Sequence, residues 1–428
     1  MSKTLEPLRF LSEEFKVTLF SVAFYSWSIS LVIQYVDLFA VMLGVSPALL
    51  GLIAGIGQFS SSLASPLMGW YADFHGVKKA LIIALILSSC SFGLYSISFS
   101  WWMIIPSVIL LNVSRMTILP FADIIFVGST EAHYRAKAIG LTRAFWASLN
   151  SSAPLMAALI VIKFGGISVE GIRPLFIVGL FLNLFVLFLI SRFLKLKSRN
   201  PDAGLHEGRT GGVGKPFGFI KAFEELLGEK RLWRWIVISI VRRLSMSISS
   251  AFTYIWMVSI KGADANILGA LGLIGMITWA ILQVPVGILA DKIGRRKTFF
   301  LFEPFLYIGT ILLILAQSPE QLILVGLLGA FGLMLGTEGF GIGGSIFLPM
   351  MILTWEVVPE EKRGRWHGII SFLSFFNLLL SAIAGLMWQE GLMIQVLVLP
   401  MILEALFVIP LLLKVQMPEQ SQPIKGYK

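Results

Sequence analysis

Twelve long apolar stretches divide this chain, and they constrain its fold more than any other feature of the sequence. A membrane-spanning helix needs about 20 mostly apolar residues to cross roughly 30 Å of hydrocarbon. Backbone groups inside lipid must also find hydrogen-bond partners within the protein, as they do in helices. The sequence therefore predicts an all-α membrane protein with 12 transmembrane helices. We number them as spans one to twelve, near 17–43, 47–71, 80–99, 102–127, 138–162, 174–194, 235–260, 267–289, 299–317, 321–354, 369–388 and 393–413.

The composition supports a membrane protein. Of the 428 residues, 57% are hydrophobic and only 14% are charged, whereas charged residues make up about a quarter of an ordinary soluble domain. The single cysteine, Cys90, excludes an intramolecular disulfide. Residues 1–16 contain several glutamates and lack the pattern of a cleavable signal peptide, so we expect none.

Lysine and arginine are distributed unevenly between the two sides of the predicted membrane. With the N-terminus inside, 27 of the 34 fall in inner segments, and only Lys163, Arg173 and Lys261 fall in outer loops. Cytoplasmic loops of membrane proteins carry such an excess. We therefore expect a multi-pass protein of the cell (inner or plasma) membrane with both termini in the cytoplasm. The net charge of +10 follows from this topology and requires no nucleic acid partner.

The chain contains an internal repeat. Two halves of six spans each are parallel repeats about an axis normal to the membrane. We expect two pseudo-symmetric six-helix bundles, 1–194 and 235–428, joined by a cytoplasmic linker, 195–234, whose amphipathic helix at 217–228 lies at the interface. A shift of 218 residues aligns Gly44, Gly51, Gly57, Gly69, Ala72, Asp73 and Gly76 with Gly262, Gly269, Gly275, Gly287, Ala290, Asp291 and Gly294.

The repeated segment resembles the G-x-L-a-D-r-x-G-r-r motif of the major facilitator superfamily, which lies between the second and third spans of each half. The second copy, 287–297, matches closely, whereas the first copy, 69–79, is degenerate because Phe74 and Val77 replace basic residues. The resemblance covers the whole chain and implies the fold of that family. It also implies a latch that holds the cytoplasmic side shut while the outer side is open.

We assign the cytoplasmic gate to both copies of this motif and to charged residues of the next inner loop in each half. Glycine lets two helices approach closely, and a helix N-terminus favours a nearby carboxylate. Exposed ion pairs are individually weak, so these charges would have to act together. The alternative is a basic loop that only sets topology. The predicted gate residues are Gly69, Asp73, Gly76, Gly287, Asp291, Gly294, Arg295, Arg296, Glu131, Arg135, Glu356 and Arg363.

Span five resembles in part the motif of exporters in that family, G-x8-G-x3-G-P-x2-G-G. Gly140 and Pro154 are in register with it, but Leu149 and three alanines replace the other glycines. A proline among small residues permits a kink and close helix packing. The partial match favours export over import.

Ionisable residues at membrane depth are costly, so each of them is a functional hypothesis. Gln34 and Tyr254 complete the predicted substrate and proton pathway. Two further acids lie on other spans: we expect Glu303 to be solvated near the inner interface, and Glu404 to form a buried hydrogen bond to a neighbouring helix. Spans one, four, seven and ten line the central cavity of the resembled family and here contain Asp37, Arg115, Asp123, Arg242, Arg243 and Glu338.

Asp37 is the predicted proton carrier. It is the only carboxylate in the outer half of a cavity-lining span, and Arg115 is expected to lie about 10 Å deeper by the helix rise. A carboxyl group alone in an apolar cavity can bind a proton, whereas one beside a base stays ionised. The alternative is a static ion pair that fixes the helix register. In span ten, the glycines from Gly336 to Gly344 predict either a break that carries Glu338 or close packing against a neighbour.

The sequence therefore predicts a secondary active transporter that exports small hydrophobic or cationic compounds in exchange for protons. It contains no phosphate-binding loop for ATP and no histidine or cysteine cluster for a metal, so we expect no cofactor and no enzyme activity. We also expect a monomer in the bilayer. One alternative is an importer or facilitator of a sugar or small anion, with Arg115, Arg242 and Arg243 binding the anion. Another is a lipid scramblase or a membrane enzyme.

Overall fold

The computed structural model describes residues 12–130, 142, 145–195, 230–333, 340–358, 366, 369, 370, 373 and 375–415, of which Asp73, Val127, Lys230 and Arg231 are described by their backbone alone. All secondary structure elements in these residues are helical. The amphipathic helix predicted at 217–228 lies outside them.

Ten helices in the described part are long and apolar enough to cross a membrane. Spans ten and eleven are represented by the shorter apolar helices Pro319–Leu328, Gly341–Val357 and Phe376–Gln389. Together these segments correspond to the predicted spans, and the prediction of an all-α fold with 12 transmembrane helices is confirmed. The ten long helices are Glu13–Met42, Pro47–Ala72, Val77–Ile97, Trp101–Phe126, Phe145–Lys163, Val169–Phe193, Leu232–Ile260, Ala265–Ile293, Arg295–Leu315 and Met393–Lys414.

Spans one and twelve are each interrupted within the membrane-spanning segment. Span one consists of the helices Glu13–Val32 and Val36–Met42, which are separated by a turn. Span twelve runs from Met393 to Leu403, continues as a π-helical turn at Glu404–Val408 and ends as the helix Ile409–Lys414.

The internal repeat is visible in the helix boundaries. Gly76 and Gly294 join spans two and three and spans eight and nine, with φ angles of 87° and 92° that favour glycine. The motif glycines therefore form equivalent tight turns. Three pairs of helices begin and end 218 residues apart: Pro47–His75 with Ala265–Ile293, Val77–Ile97 with Arg295–Leu315, and the single 3-10 turns Trp101–Met103 with Pro319–Gln321.

The two turns define one end of the molecule, which we call the basic face; the end that carries Gly44 and Gly262 is the opposite face. At the basic face, Lys78 Nζ donates to the carbonyl oxygen of Ser191 at 3.0 Å. Its repeat equivalent Arg296 donates through Nη1 to the carbonyl oxygens of Leu413 and Val415 at 3.3 and 3.4 Å. Cationic side chains satisfy the free carbonyls of helix C-termini in this way. Each half thus ties its third span to the end of its sixth.

Polar side chains hold the first bundle together. Asn183 on span six donates through Nδ2 to the Ser28 hydroxyl at 3.0 Å and accepts through Oδ1 from the Ser88 hydroxyl at 2.7 Å. All three residues are fully buried. Because lipid is as apolar as the helices, hydrogen bonds between small polar residues contribute to helix association. Spans one, three and six meet at this cluster.

Span ten is broken, and the break begins earlier than the glycine pattern predicts. The first helix ends at Leu328, Gly329 and Gly332 have φ angles of 85° and 76°, and a helix resumes at Gly341. The Phe331 N–H donates to the Thr310 hydroxyl at 3.0 Å. Glu338, predicted to lie in this break, is outside the described residues. The described non-helical backbone, 329–333, is buried and contacts spans seven and nine, as backbone at membrane depth requires.

Candidate transport pathway between the two bundles

Spans two and eleven seal the two bundles against each other near the opposite face. A methyl group on Gly51 would meet the carbonyl oxygen of Ser381, and one on Gly55 would lie 2.8 Å from the Cα atom of Leu378. On span eleven, a methyl group on Gly385 would lie 2.5 Å from the carbonyl oxygen of Pro47. Only glycine permits such an approach of two helix backbones.

Spans five and eight form the second seam of this seal. A methyl group on Gly269 would lie 2.6 Å from the Cβ atom of Ala158, and one on Gly272 would overlap Pro154. The same methyl group would lie 2.6 Å from Gln34 Nε2 on span one. Pro154 is in the first turn of the helix Ala153–Lys163, after a turn at Ser152. The predicted kink residue therefore lies at the contact between the bundles.

A polar cluster marks the depth at which the seal ends among the described residues. Asn377 on span eleven donates through Nδ2 to Gln58 Oε1 on span two. Its Oδ1 accepts from the Ser247 hydroxyl on span seven at 3.1 Å. The ring of Phe59 contacts that of Phe375 beside it, with centroids 5.3 Å apart. Gln58 is eleven residues from the start of its helix at Pro47, or about 16 Å, which is near the middle of the membrane.

Closer to the basic face, the motif glycines are not packed tightly against described residues. No described atom lies within 4 Å of a methyl group placed on Gly69, and the nearest to one on Gly287 is Leu348 Cδ2 at 3.7 Å. Leu67 and Val284, on the same parts of spans two and eight, are 67% and 69% exposed. Among the described residues, tight contact between the bundles is thus concentrated in the half of the molecule at the opposite face.

Asp37 lies in the first turn of Val36–Met42, just after the break in span one, and its side chain is half-buried. Within the described part of the chain it forms neither an ion pair nor a side-chain hydrogen bond. Its electrostatic neighbours are the phenol groups of Tyr95 on span three and Tyr254 on span seven. Tyr35, beside the break, and Tyr254 are buried and adjacent. We call Gln34, Tyr35, Asp37, Tyr95 and Tyr254 the tyrosine–aspartate cluster.

Three other charged residues of the predicted pathway lie on spans four and seven. Arg115 is half-buried and is within electrostatic range of the Tyr25 hydroxyl. Asp123 and Arg243 lie on exposed faces of spans four and seven. No ion pair within the described part of the chain joins Asp37 to any of these residues.

Arg242 is directed toward spans nine and twelve of its own bundle. Its Nη1 atom lies 3.3 Å from Glu404 Oε2 and 3.7 Å from Glu303 Oε2. Glu303 is only 2% exposed, so the expectation that it is solvated is wrong; the guanidinium of Arg242 replaces water as its partner. The expected buried hydrogen bond of Glu404 is formed with this arginine. The sequence did not predict this group of Arg242, Glu303 and Glu404, because successive members are 61 and 101 residues apart, too far for any local pattern.

At the basic face, the second copy of the motif is held within its own bundle. Arg295 Nη2 lies 3.0 Å from Asp291 Oδ1, and Arg295 Nε lies 3.3 Å from Glu356 Oε1 at the end of span ten. Val77 occupies the position of Arg295 in the first half, so the same bridge cannot form there. The predicted gate residues Glu131, Arg135 and Arg363, and the side chain of Asp73, lie outside the described part of the structure.

Comparison with known sequences identifies the family of this chain. The sequence pattern of the Major Facilitator Superfamily matches residues 18–388. The chain belongs to this superfamily. It is thus a multi-pass membrane transporter, as the repeated motif predicts.

Two kinds of relative are similar to this transporter. The multi-drug resistance efflux pump PmrA homolog of Lactococcus lactis is 23% identical over 383 residues, which cover 86% of each chain. The crystal structure of the nucleoside transporter NupG has a TM-score of 0.68 at 11% identity and covers 95% of this chain and 100% of that one. That of a D-xylose-proton symporter has a TM-score of 0.66 at 12% identity, covering 96% and 99%. At such identities these structures establish the fold alone.

Proposed function

We propose that this superfamily member exports small hydrophobic or cationic organic compounds across the cell membrane in exchange for protons. It works by alternating access as a monomer, with both termini in the cytoplasm. The basic face is then cytoplasmic, and the described conformation has its outer side sealed by glycine contacts. The position of Asp37 in the tyrosine–aspartate cluster is the observation that supports proton coupling.

Asp37 has the properties of a coupling group. It lies where span one is interrupted, close to span seven of the other bundle, so a rocking motion of the bundles changes its surroundings. Removal of a carboxylate from water disfavours its charged form, and no cation among the described residues offsets this. When the outer side opens, water reaches the cluster and favours release of the proton. Asp37 would therefore bind and release one proton in each cycle.

Export of organic compounds is supported by two observations. The similarity to the Lactococcus lactis efflux pump extends over most of both chains. Pro154, one of the two residues of span five that match the exporter motif, packs on Gly272 at the contact between the bundles. A small-residue seam with a helix interruption at Ser152 provides a point about which span five can move.

Uptake of a hydroxylated solute is the second candidate. The cluster of Gln58, Asn377 and Ser247 places two amides and a hydroxyl between the bundles at mid-depth. Amide groups can donate to and accept from sugar or ribose hydroxyls. In the described conformation these groups bind one another, so a solute would have to replace their mutual hydrogen bonds.

Reconstituted liposomes can separate the two candidates. The full chain would be tested with an imposed pH gradient against a lipophilic cation, a nucleoside and a pentose. We expect the lipophilic cation to accumulate against its gradient in the acidic lumen of vesicles whose cytoplasmic face points outward. Asp37→Asn should abolish this accumulation while leaving exchange of the cation in the absence of a gradient largely intact.

Matched substitutions locate the coupling group. If Asp37→Asn retains full accumulation while Asp123→Asn or Glu338→Gln loses it, the coupling role belongs on span four or ten. If all three variants retain accumulation, the protein is coupled to another ion or is a facilitator. Transport of the pentose or nucleoside, but not of the cation, would reject the export proposal in favour of the second candidate.

A further inference from the structure

We propose that Arg242, Glu303 and Glu404 form a proton-binding site inside the second bundle that holds one exchangeable proton on its two carboxylates. The site joins spans seven, nine and twelve and is distinct from the tyrosine–aspartate cluster. It does not depend on which solute the protein transports.

The geometry shows one cation shared by two acids. The single nitrogen Arg242 Nη1 lies within 4 Å of a carboxylate oxygen of both Glu404 and Glu303. The side chain of Arg242 is 15% exposed, and those of Glu303 and Glu404 are 2% and 0% exposed. The ring of Phe299 covers the guanidinium at 5.2 Å. Water is thus excluded from both acids, and the arginine is the cation that both contact.

The charges do not balance unless a proton is bound. Arginine stays protonated in proteins, so two ionised carboxylates would leave one net negative charge. Transfer of an uncompensated charge into a protein interior is strongly unfavourable, so a buried group neutralises itself instead. Two carboxylates that share one site do so by holding one proton between them. The ionisation then belongs to the pair and not to either residue.

The hydrogen bonding agrees with a protonated pair. Both oxygens of Glu303 and Oε1 of Glu404 have no hydrogen-bond donor among the described residues. An ionised, buried carboxylate needs several donors, whereas a protonated one carries a donor of its own. The backbone is irregular at the same site, because Glu404 begins the π-helical turn Glu404–Val408, four residues after Pro400. Turns of this type occur frequently at functional sites.

The described surroundings supply no second cation. Tyr307 on span nine is the nearest other titratable group, and its hydroxyl donates to the carbonyl oxygen of Met401 at 3.4 Å. Arg243 lies on the exposed side of span seven. The charges at the basic ends of spans nine and twelve, Arg296 and Lys414, are about 10 and 15 Å away by the helix rise. Glu356 at the end of span ten is held by Arg295.

Infrared spectroscopy of the purified full-length protein tests the site directly. At neutral pH the wild type should show a carbonyl band from the protonated carboxyl group. Either Glu303→Gln or Glu404→Gln should lower this band by one carboxyl equivalent, because the remaining acid forms a neutral ion pair with Arg242. The double variant should lose no more than either single variant. Arg242→Gln should instead add one equivalent, because both acids then become neutral.

Three results would overturn the proposal. An unchanged band in both glutamine variants would show that both acids are ionised. A loss twice as large in the double variant would show two protons rather than one. A band that does not shift after transfer into heavy water would show a trapped, structural proton. Asp37→Asn is the control, because it should lower the carbonyl band by the same amount in the wild type and in every variant of Arg242, Glu303 or Glu404. Glu303→Gln and Glu404→Gln each test for the shared proton, so if one variant does not fold, the other still gives the answer.

Discussion

Gly51 of span two lies directly against the carbonyl oxygen of Ser381 in span eleven. This contact joins the two bundles near the opposite face, so its geometry changes whenever the bundles separate there. We therefore expect small residues, as well as charged ones, to influence the equilibrium between the conformations of the transporter.

Gly51→Ala should destabilise the conformation that is sealed at the opposite face. The added methyl group overlaps backbone that cannot move as a side chain can, and overpacking of this kind costs about 1–3 kcal/mol. That cost shifts the equilibrium between the two conformations by about 5- to 150-fold. Accessibility of a cysteine at Gln34, measured by labelling from the outer side in a Cys90→Ser background, should rise accordingly.

Gly93→Ala is the matched control for this prediction. Gly93 lies in span three, four residues before the helix ends at Ile97, and no described atom lies within 4 Å of an added methyl group. Labelling in this variant should equal that of the parent. Equal labelling in Gly51→Ala and Gly93→Ala would show that the glycine seal does not control access.

The sequence predicted the features that repeat or that follow from membrane thickness. The alignment of Gly76 with Gly294 correctly placed two equivalent turns, because only glycine adopts their backbone conformation without strain. A break in span ten was one of two alternatives that its glycines predicted, but that run begins at Gly336, whereas the helix ends at Leu328, before Gly329. Which of several glycines ends a helix depends on its neighbours, here the Thr310 hydroxyl, which the sequence does not reveal.

The sequence predicted the contacts of the charged residues in the candidate transport pathway less completely. Helix rise predicts a separation of Asp37 from Arg115, and the role of Asp37 as a proton carrier stays a prediction. The partners of Arg242 could not be predicted, because contact between spans seven, nine and twelve depends on helix rotation. A charge in a span therefore indicates a functional or structural partner without identifying which one.

Asp264 at the opposite face should stabilise the start of span eight in a pH-dependent manner. Its Oδ1 accepts from the Ile267 N–H at 2.9 Å, and this hydrogen bond lowers the pKa of Asp264. Asp264→Ala should cost about 1 kcal/mol of stability at neutral pH. Because the folded pKa lies below the unfolded one, the stabilisation exists above the unfolded pKa and is lost as the pH falls through the folded pKa.

Thermal unfolding in detergent at several pH values measures this effect. Asp264→Asn is the control, because asparagine also caps helix N-termini but does not titrate. It should retain most of the stability at neutral pH and lose the pH dependence. A stability difference between the wild type and Asp264→Ala that stays constant down to strongly acidic pH would contradict the prediction.

Labelling should also establish the orientation. In a Cys90→Ser background, a cysteine at Glu170 should react with an impermeant reagent added to intact cells, whereas one at Lys297 should react only after the membrane is opened. Both positions are exposed, so the difference reports the side of the membrane and not burial. The reverse pattern would invert the topology.

Asp291→Asn should shift the protein toward the conformation that is open at the basic face. The substitution removes a carboxylate from the proposed latch and breaks the contact with Arg295, which in turn holds Glu356. Because Asp291 is more than half exposed, the contact contributes at most about 1 kcal/mol, so the shift should be no more than about fivefold. Asp73→Asn should change less, since Val77 replaces the arginine in that half.

Spin labels on Lys79 and Lys297 measure this shift. The two residues are repeat equivalents at the basic face, both are exposed, and their separation reports the distance between the bundles there. In Asp291→Asn the long-distance population should grow relative to the wild type, and in Asp73→Asn it should grow less. Unchanged distance distributions in both variants would mean that the motif acids do not control closure, and the basic residues of these loops would then serve topology and helix capping, as Lys78 and Arg296 already do.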